Sequence, residues 1–147
     1  MIPAIKIKDY RQKDKKTIIN IFITEYSKYP YNEKWTKENA VKLINKYTKF
    51  SRILIAKINN KIVGFIIFEV FQEDKGEVGF ISEIVVSKRF QCLGIGKKLM
   101  NATEKYLIKK NIKKIKLIAN KKAKAIGFYK KINYIKTDWV VYEKEIK

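Results

Sequence analysis

Histidine is absent from this 147-residue chain, and cysteine occurs once, at Cys92. The first absence excludes a His-based catalytic triad and the Cys/His zinc sites, and the second excludes an internal disulfide. No metal is therefore expected, and general acid–base chemistry is left to Tyr, Glu, Asp, Lys, Cys or water. The chain also lacks an apolar run long enough to span a bilayer, and Met1-Ile2-Pro3 passes straight into Ile5-Lys6-Ile7-Lys8-Asp9 without a charged-then-apolar leader. The expectation is a cytoplasmic protein with no membrane partner. Internal repeats, low-complexity tracts and linkers are missing as well. With 46% hydrophobic and 13% aromatic residues there is enough apolar material for a core, so one domain over residues 1–147 is expected.

Negative charge is scarce too: 14 Asp and Glu stand against 34 Lys and Arg, a net charge of +20. Such an excess invites a nucleic-acid reading, because clustered cations release counterions from phosphate backbones. Arginine, whose planar fork suits specific phosphate and base recognition, occurs only at Arg11, Arg52 and Arg89. Lysines run from Lys6 to Lys147, with a concentration over Lys109-Lys110, Lys113-Lys114, Lys116 and Lys121-Lys122-Lys124. Beside the abundant isoleucine this reads as compositional bias rather than a groove-reading surface. A basic nucleic-acid module is kept as an alternative, and a basic surface would equally attract an anionic cofactor.

What the chain does have is a strand-to-loop-to-helix passage at Val86-Ser87-Lys88-Arg89-Phe90-Gln91-Cys92-Leu93-Gly94-Ile95-Gly96. Glycines allow positive φ and close backbone approach, while successive N–H groups and the positive end of the following helix dipole face one point, which suits a phosphate. A dinucleotide-binding glycine motif would need glycine at Leu99, and a Walker loop would need Lys-Ser or Lys-Thr where Lys97-Lys98 stand. Upstream, Gly79 to Val86 is rich in β-branched residues and predicts a largely buried strand. Downstream, Ile95, Leu99, Thr103, Tyr106 and Leu107 recur at helical spacing opposite Lys97, Lys98, Asn101, Glu104, Lys105 and Lys109.

The rest of the chain predicts a strand at residues 5–7, an apolar helix near 12–26 with Asp14 at its positive end, and a second helix capped by Thr36. Arg52 to Ile58 and Lys61 to Phe71, joined by Asn59-Asn60, predict a hairpin, and Asp74-Lys75-Gly76 turns the chain into the strand ending at Val86. Beyond the glycine loop and its helix, Lys114 to Ala119 predicts a strand parallel to its predecessor, since a crossover helix lies between them. A shorter helix near 121–132 and a last strand over Asp138 to Ile146 complete the reading, and the sheet is mixed.

The loop resembles motif A of the GNAT N-acetyltransferase superfamily, with Val86, Gln91, Gly94 and Gly96 in the matching places. Ala125-Ile126-Gly127-Phe128-Tyr129-Lys130-Lys131-Ile132-Asn133-Tyr134 resembles the same family's A-x-x-F-Y-x-K-x-G-F segment, and the element order agrees over nearly the whole chain. The resemblance implies an α/β fold of the α+β type, a mixed, mainly antiparallel central sheet with helices on both faces. It implies an acetyl-CoA-dependent N-acetyltransferase acting on an amine-bearing small molecule or protein, as monomer or homodimer. In the family the loop binds the pyrophosphate of acetyl-CoA, here Gln91, Cys92, Leu93, Gly94, Ile95, Gly96 and Lys97. The backbone of Ile84, Val85 and Val86 would pair with pantetheine in a gap between two strands, with Asn120 reaching in from the end of the second. Tyr129 takes the place of the tyrosine that protonates the departing thiolate, and Glu83 that of an acidic position, a candidate base, in some members. Three departures stand out: Cys92 where glycine is common, Asn133 for glycine, and Lys122 for a frequent asparagine. The acceptor site would be built by residues 26–35 together with Trp139 and Tyr142. A non-catalytic acyl-CoA sensor would keep the loop without the chemistry.

Overall fold

The computed structural model describes residues 3–147. Five strands form one sheet in the order of the chain: β1 (Ile5–Asp9), β2 (Arg52–Ile58), β3 (Lys61–Glu73), β4 (Gly76–Val86) and β5 (Ile115–Leu117). The first three junctions are antiparallel and the last is parallel. The parallel pairing follows from α3 (Ile95–Lys109), which carries the chain back across the sheet between β4 and β5. The other helices are α1 (Lys15–Tyr26), α2 (Lys37–Phe50) and α4 (Ala125–Lys131).

Local chemistry accounts for the boundaries. The Thr36 hydroxyl accepts the Asn39 N–H at 3.1 Å and caps α2. Asn59 and Asn60, at φ 49° and 66°, supply the two left-handed residues of a tight hairpin turn, a geometry asparagine tolerates. Along β2 the side chains alternate between two cores on opposite faces. Ile53 and Ile55 join Ile18, Phe22, Ala40 and Ile44 under α1 and α2, while Leu54, Ala56 and Ile58 join Ile95, Leu99, Met100 and Leu107 under α3. This is the mixed, mainly antiparallel sheet with helices on both faces that the family resemblance implies.

In β4, Phe68 of β3 faces Ile81 and Ile67 faces Glu83, so Ser82 is an unpaired extra residue. Such a bulge flips the alternation of the strand. Ile81 before it and Ile84 and Val86 after it therefore serve the same core, while Val85 and the Glu83 position turn toward α1 and α2.

Two expectations are corrected. The last strand expected over Asp138 to Ile146 is not formed, and Trp139 and Tyr142 are 88% and 92% exposed. The alternation over these residues fits a strand, but β-structure needs a partner edge and this segment lies on none. The strand expected over 114–119 is confined to Ile115–Leu117, paired with Gly79, Phe80 and Ile81. No helix among the described residues is long and apolar enough to cross a membrane.

Candidate active site

The shortness of β5 creates the site. Past Ile81 and Leu117 the two strands separate, and a cavity of about 170 Å³ opens between them. Its walls are Tyr26, Tyr31, Ile81 to Ile84, Leu117 to Asn120, Ala125 and Tyr129. Glu83, Ile84, Asn120 and Tyr129, four residues singled out from sequence, thus meet in one place.

The edge of β4 facing this gap can be assigned from the ladder. Ser87 N–H donates to Val63 O at 2.8 Å, and antiparallel bonding repeats every second residue, so Val85 directs its N–H and C=O into β3. Ile84 and Val86 direct theirs into the gap. The Val86 carbonyl accepts Gln91 Nε2 at 2.9 Å, a bond that folds the loop back onto the strand end. Val85 itself is buried under α1 and α2. The three backbone positions expected together are thereby divided: two face the gap and one faces the ladder.

Beyond Val86 the loop reaches α3. Gly94 is the N-cap residue at φ 84° and ψ 8°, left-handed geometry that costs a side chain about 1–2 kcal/mol. Cys92 has φ 64° and is exposed, so it carries that strain where the family commonly has glycine. The first turn of α3 holds no acidic residue and its cap no side-chain hydrogen bond, which leaves the leading N–H groups open. Lys88, Arg89, Lys97 and Lys98 lie on either side of Gly94 in the sequence and are exposed. Leu93 is exposed, Ile95 is anchored in the core, and Gly96 lies under the Phe128 ring. None of residues 91–97 lines the cavity. The open edge of Ile84 and Val86 connects the two places.

The cavity has the opposite electrostatic character, because no Lys or Arg lines it. Glu83 Oε1 accepts the Tyr26 hydroxyl at 2.6 Å and Oε2 accepts the Tyr47 hydroxyl at 2.7 Å. Burial pushes the carboxyl above the usual range, the two phenol bonds pull it back, and the Glu33 carboxylate adds to the rise. Burial, with the neighbouring Tyr31, pushes the Tyr129 phenol up to about 12. The Tyr129 ring packs near Phe128 and Tyr134, at centroid distances of 5.5 and 5.9 Å. Asn120 Oδ1 accepts the Lys122 N–H at 2.9 Å, which uses its oxygen to turn the chain toward α4 and leaves its amide nitrogen to offer elsewhere. Asn133 has φ 70°, where asparagine is the tolerated substitute for glycine.

Of the expected acceptor residues, Tyr26 and Tyr31 reach the cavity, their rings 5.0 Å apart and edge to face. Trp35 packs on Phe22 at 4.9 Å instead, and Trp139 and Tyr142 are not brought in. Tyr26 and Tyr47 as partners of Glu83 were missed, since they lie 57 and 36 residues away in sequence. A wider depression of about 270 Å³ around Asp9, Tyr10 and Arg52 holds none of the candidate residues, and Arg52 is there engaged by Asp9 at 2.9 Å.

The model of the Acetyltransferase (GNAT) family matches residues 16–134. The chain belongs to this family, whose members are acetyltransferases. Among solved structures it is similar to a protein of Clostridium difficile 630 described as "a possible acetyltransferase", at TM-score 0.83 and 20% identity over 97% of this chain and 98% of that one. An aminoglycoside acetyltransferase from an uncultured soil metagenomic sample, in complex with sisomicin, matches at TM-score 0.75 and 23% identity over 97% of each chain. An aminoglycoside N-acetyltransferase in complex with CoA matches at TM-score 0.78 and 12% identity, covering 97% and 95%. At these identities the solved structures speak for the fold.

Proposed function

We propose that the protein is an acetyl-CoA-dependent N-acetyltransferase that moves an acetyl group to a primary amine by direct attack, residues 1–147 forming one such domain in the cytoplasm. The observation that carries this reading is the convergence of Glu83 and Tyr129 on one cavity, beside a strand edge whose Ile84 and Val86 groups lack a strand partner. A thioester with a pantetheine arm and a pyrophosphate fits what is offered: an open edge for the arm, and unpaired N–H groups, with cationic residues close by in sequence, for the phosphates. Gln91, Cys92, Leu93, Gly94, Ile95, Gly96 and Lys97 would hold the pyrophosphate, and Asn120 would donate from the opposite wall. Val85 supports the edge from behind.

Each chain group has a chemical task. The N–H of Ile84 or Val86 polarises the thioester carbonyl. Glu83 receives the proton that the amine must lose, directly or through water. The amine nitrogen, once it has given one proton to Glu83, bonds to the carbonyl carbon. The carbon–sulfur bond breaks, the second proton lost from the nitrogen passes through water to the departing thiolate, and the Tyr129 phenol donates to that sulfur. With its phenol near 12 and a thiol near 8.5, full proton transfer from Tyr129 would be uphill by roughly 5 kcal/mol, so its contribution is a strong hydrogen bond to the sulfur. The anionic, aromatic cavity favours an acceptor that arrives as an ammonium ion. The sisomicin complex of a protein with this fold is reason to include aminoglycosides in the trial.

The test is a calorimetric titration with acetyl-CoA at moderate salt, with 3′-dephospho-CoA and a duplex oligonucleotide as controls, followed by thiol release with a panel of amines. Acetyl-CoA binding near micromolar, about 8 kcal/mol, and amine-dependent release are expected. Salt-sensitive oligonucleotide binding without acetyl-CoA binding would overturn the reading. Cofactor binding with no turnover on any amine would mark a sensor.

A further inference from the structure

In a chain with 34 Lys and Arg, the Glu83 carboxylate has no ammonium or guanidinium partner among the described residues. Neutral phenols hold it instead, Tyr26 at the end of α1 on one oxygen and Tyr47 in the last turn of α2 on the other. The distinction matters for chemistry. A lysine would fix the carboxylate as an ion but cancel its charge, leaving a weak base and no attraction for an ammonium. A phenol stabilises the ionised form by hydrogen bonding and leaves the full negative charge in place.

The two phenols are not equivalent. Tyr26 borders the cavity, whereas Tyr47 does not and reaches the carboxylate from outside it. Tyr47 therefore acts on an acceptor through Glu83. We propose that Tyr47 is a positioning residue that holds the Glu83 carboxylate in its ionised form, and so sets the lower pH limit of acetyl transfer. This rests on the reading of Glu83 as the group that takes the amine's proton.

The surroundings offer no substitute for that bond. The groups around the carboxylate are Tyr26 from α1, Tyr47 from α2, Tyr31 and Glu33 from the segment between those helices, and Ser82 beside Tyr47 on β4. Glu69 of β3 acts on Tyr47, and Tyr129 of α4 acts on Tyr26. None of them is a lysine or an arginine. Burial and Glu33 both favour the protonated acid, and the hydrogen bonds that oppose them come from the two phenols. Both phenols are themselves raised well above their ordinary value, by burial first and by Glu83 next, so they remain donors throughout the working range.

The experiment is Tyr47→Phe, which keeps the ring in the α1–α2 core and removes the hydroxyl. Glu83 is titrated directly by carbon-13 NMR of carboxyl-labelled glutamate, its signal assigned by its loss in Glu83→Gln. In parallel, kcat/KM is measured against pH with one amine. Losing a hydrogen bond to a charged group should raise the Glu83 midpoint by about 1–2 pH units. The acid limb of the rate profile should move up by the same amount, with the high-pH plateau and the acetyl-CoA KM unchanged. An unshifted Glu83 midpoint overturns the proposal, as does a pH-independent loss of rate, which a merely structural residue would give. A raised midpoint with an unmoved acid limb overturns the assignment of Glu83 as base, and the catalytic role of Tyr47 with it. A Tyr47→Phe protein that does not fold is replaced by Tyr26→Phe in the NMR titration. A midpoint unchanged there overturns the idea that phenols hold the carboxylate ionised.

Discussion

Replacing Tyr129 by Phe separates the packing of this side chain from its chemistry. The ring lies against the core under α3 and near Phe128 and Tyr134, contacts that a phenylalanine keeps. The hydroxyl has no hydrogen-bond partner among the described residues, so its removal should alter folding stability by less than about 1 kcal/mol. Catalysis should respond differently. A hydrogen bond to a group gaining negative charge contributes about 1.5–3 kcal/mol, or roughly 10- to 150-fold in rate. Because the phenol titrates near 12, the wild-type donor is intact over the whole assay range, and the ratio of the two kcat values should be constant with pH up to that region.

The assay is thiol release followed by a chromogenic thiol reagent. Exposed Cys92 will react as well, giving one equivalent of background that a blank without amine removes. A fall in kcat with unchanged acetyl-CoA affinity and melting midpoint is the expected pattern. Unchanged kcat would refute the assignment of Tyr129 to the leaving sulfur. A loss of affinity or stability matching the loss of rate would refute the separation of roles.

Glu83→Gln should lower turnover with little loss of acetyl-CoA binding, and unchanged turnover would reject the base. The same change should flatten the pH dependence of stability: a carboxyl raised by burial contributes stability below its unfolded value near 4.5 that is lost as pH rises through its folded value, and glutamine has nothing to ionise. The melting midpoint of wild type minus variant, followed from pH 4 to 8, should fall with pH. Cys92→Gly should stabilise the fold by up to about 1.5 kcal/mol, the left-handed strain relieved less the entropy of a glycine, as read by denaturant unfolding. Removal of residues 138–147, exposed throughout, should leave the unfolding midpoint and acetyl-CoA affinity unchanged, and a loss of either would show contacts for Trp139 or Tyr142.

What could be read from the sequence was local. Asn59-Asn60, Thr36 and Gly94 each fix a backbone geometry by their own chemistry, and the structure places a hairpin, a cap and a helix start at these residues. The two cores follow from alternation along β2. Glu83, Ile84, Asn120 and Tyr129 could be brought together because the family resemblance supplied the long-range order that spacing alone lacks. The failures are all of pairing. Residues 138–146 alternate like a strand, but alternation does not specify an edge to join, and none is joined. Ser82 looks like any residue in an apolar run, because a bulge is a relation between two strands rather than a property of one.

That bulge has a consequence for the chemistry. Were Ser82 paired in a regular ladder instead of bulged, continuous alternation would send Glu83 to the same face as Ile81, into the core under α3, where a carboxylate would find Leu99 and Met100 rather than Tyr26 and Tyr47. With the bulge, one strand delivers Ile81 to one core, Glu83 to the phenols and the Ile84 and Val86 backbone to the gap. A strand three residues long on one side and an inserted serine on the other are thus the two non-local facts from which the site is made. Neither leaves a mark in composition or periodicity.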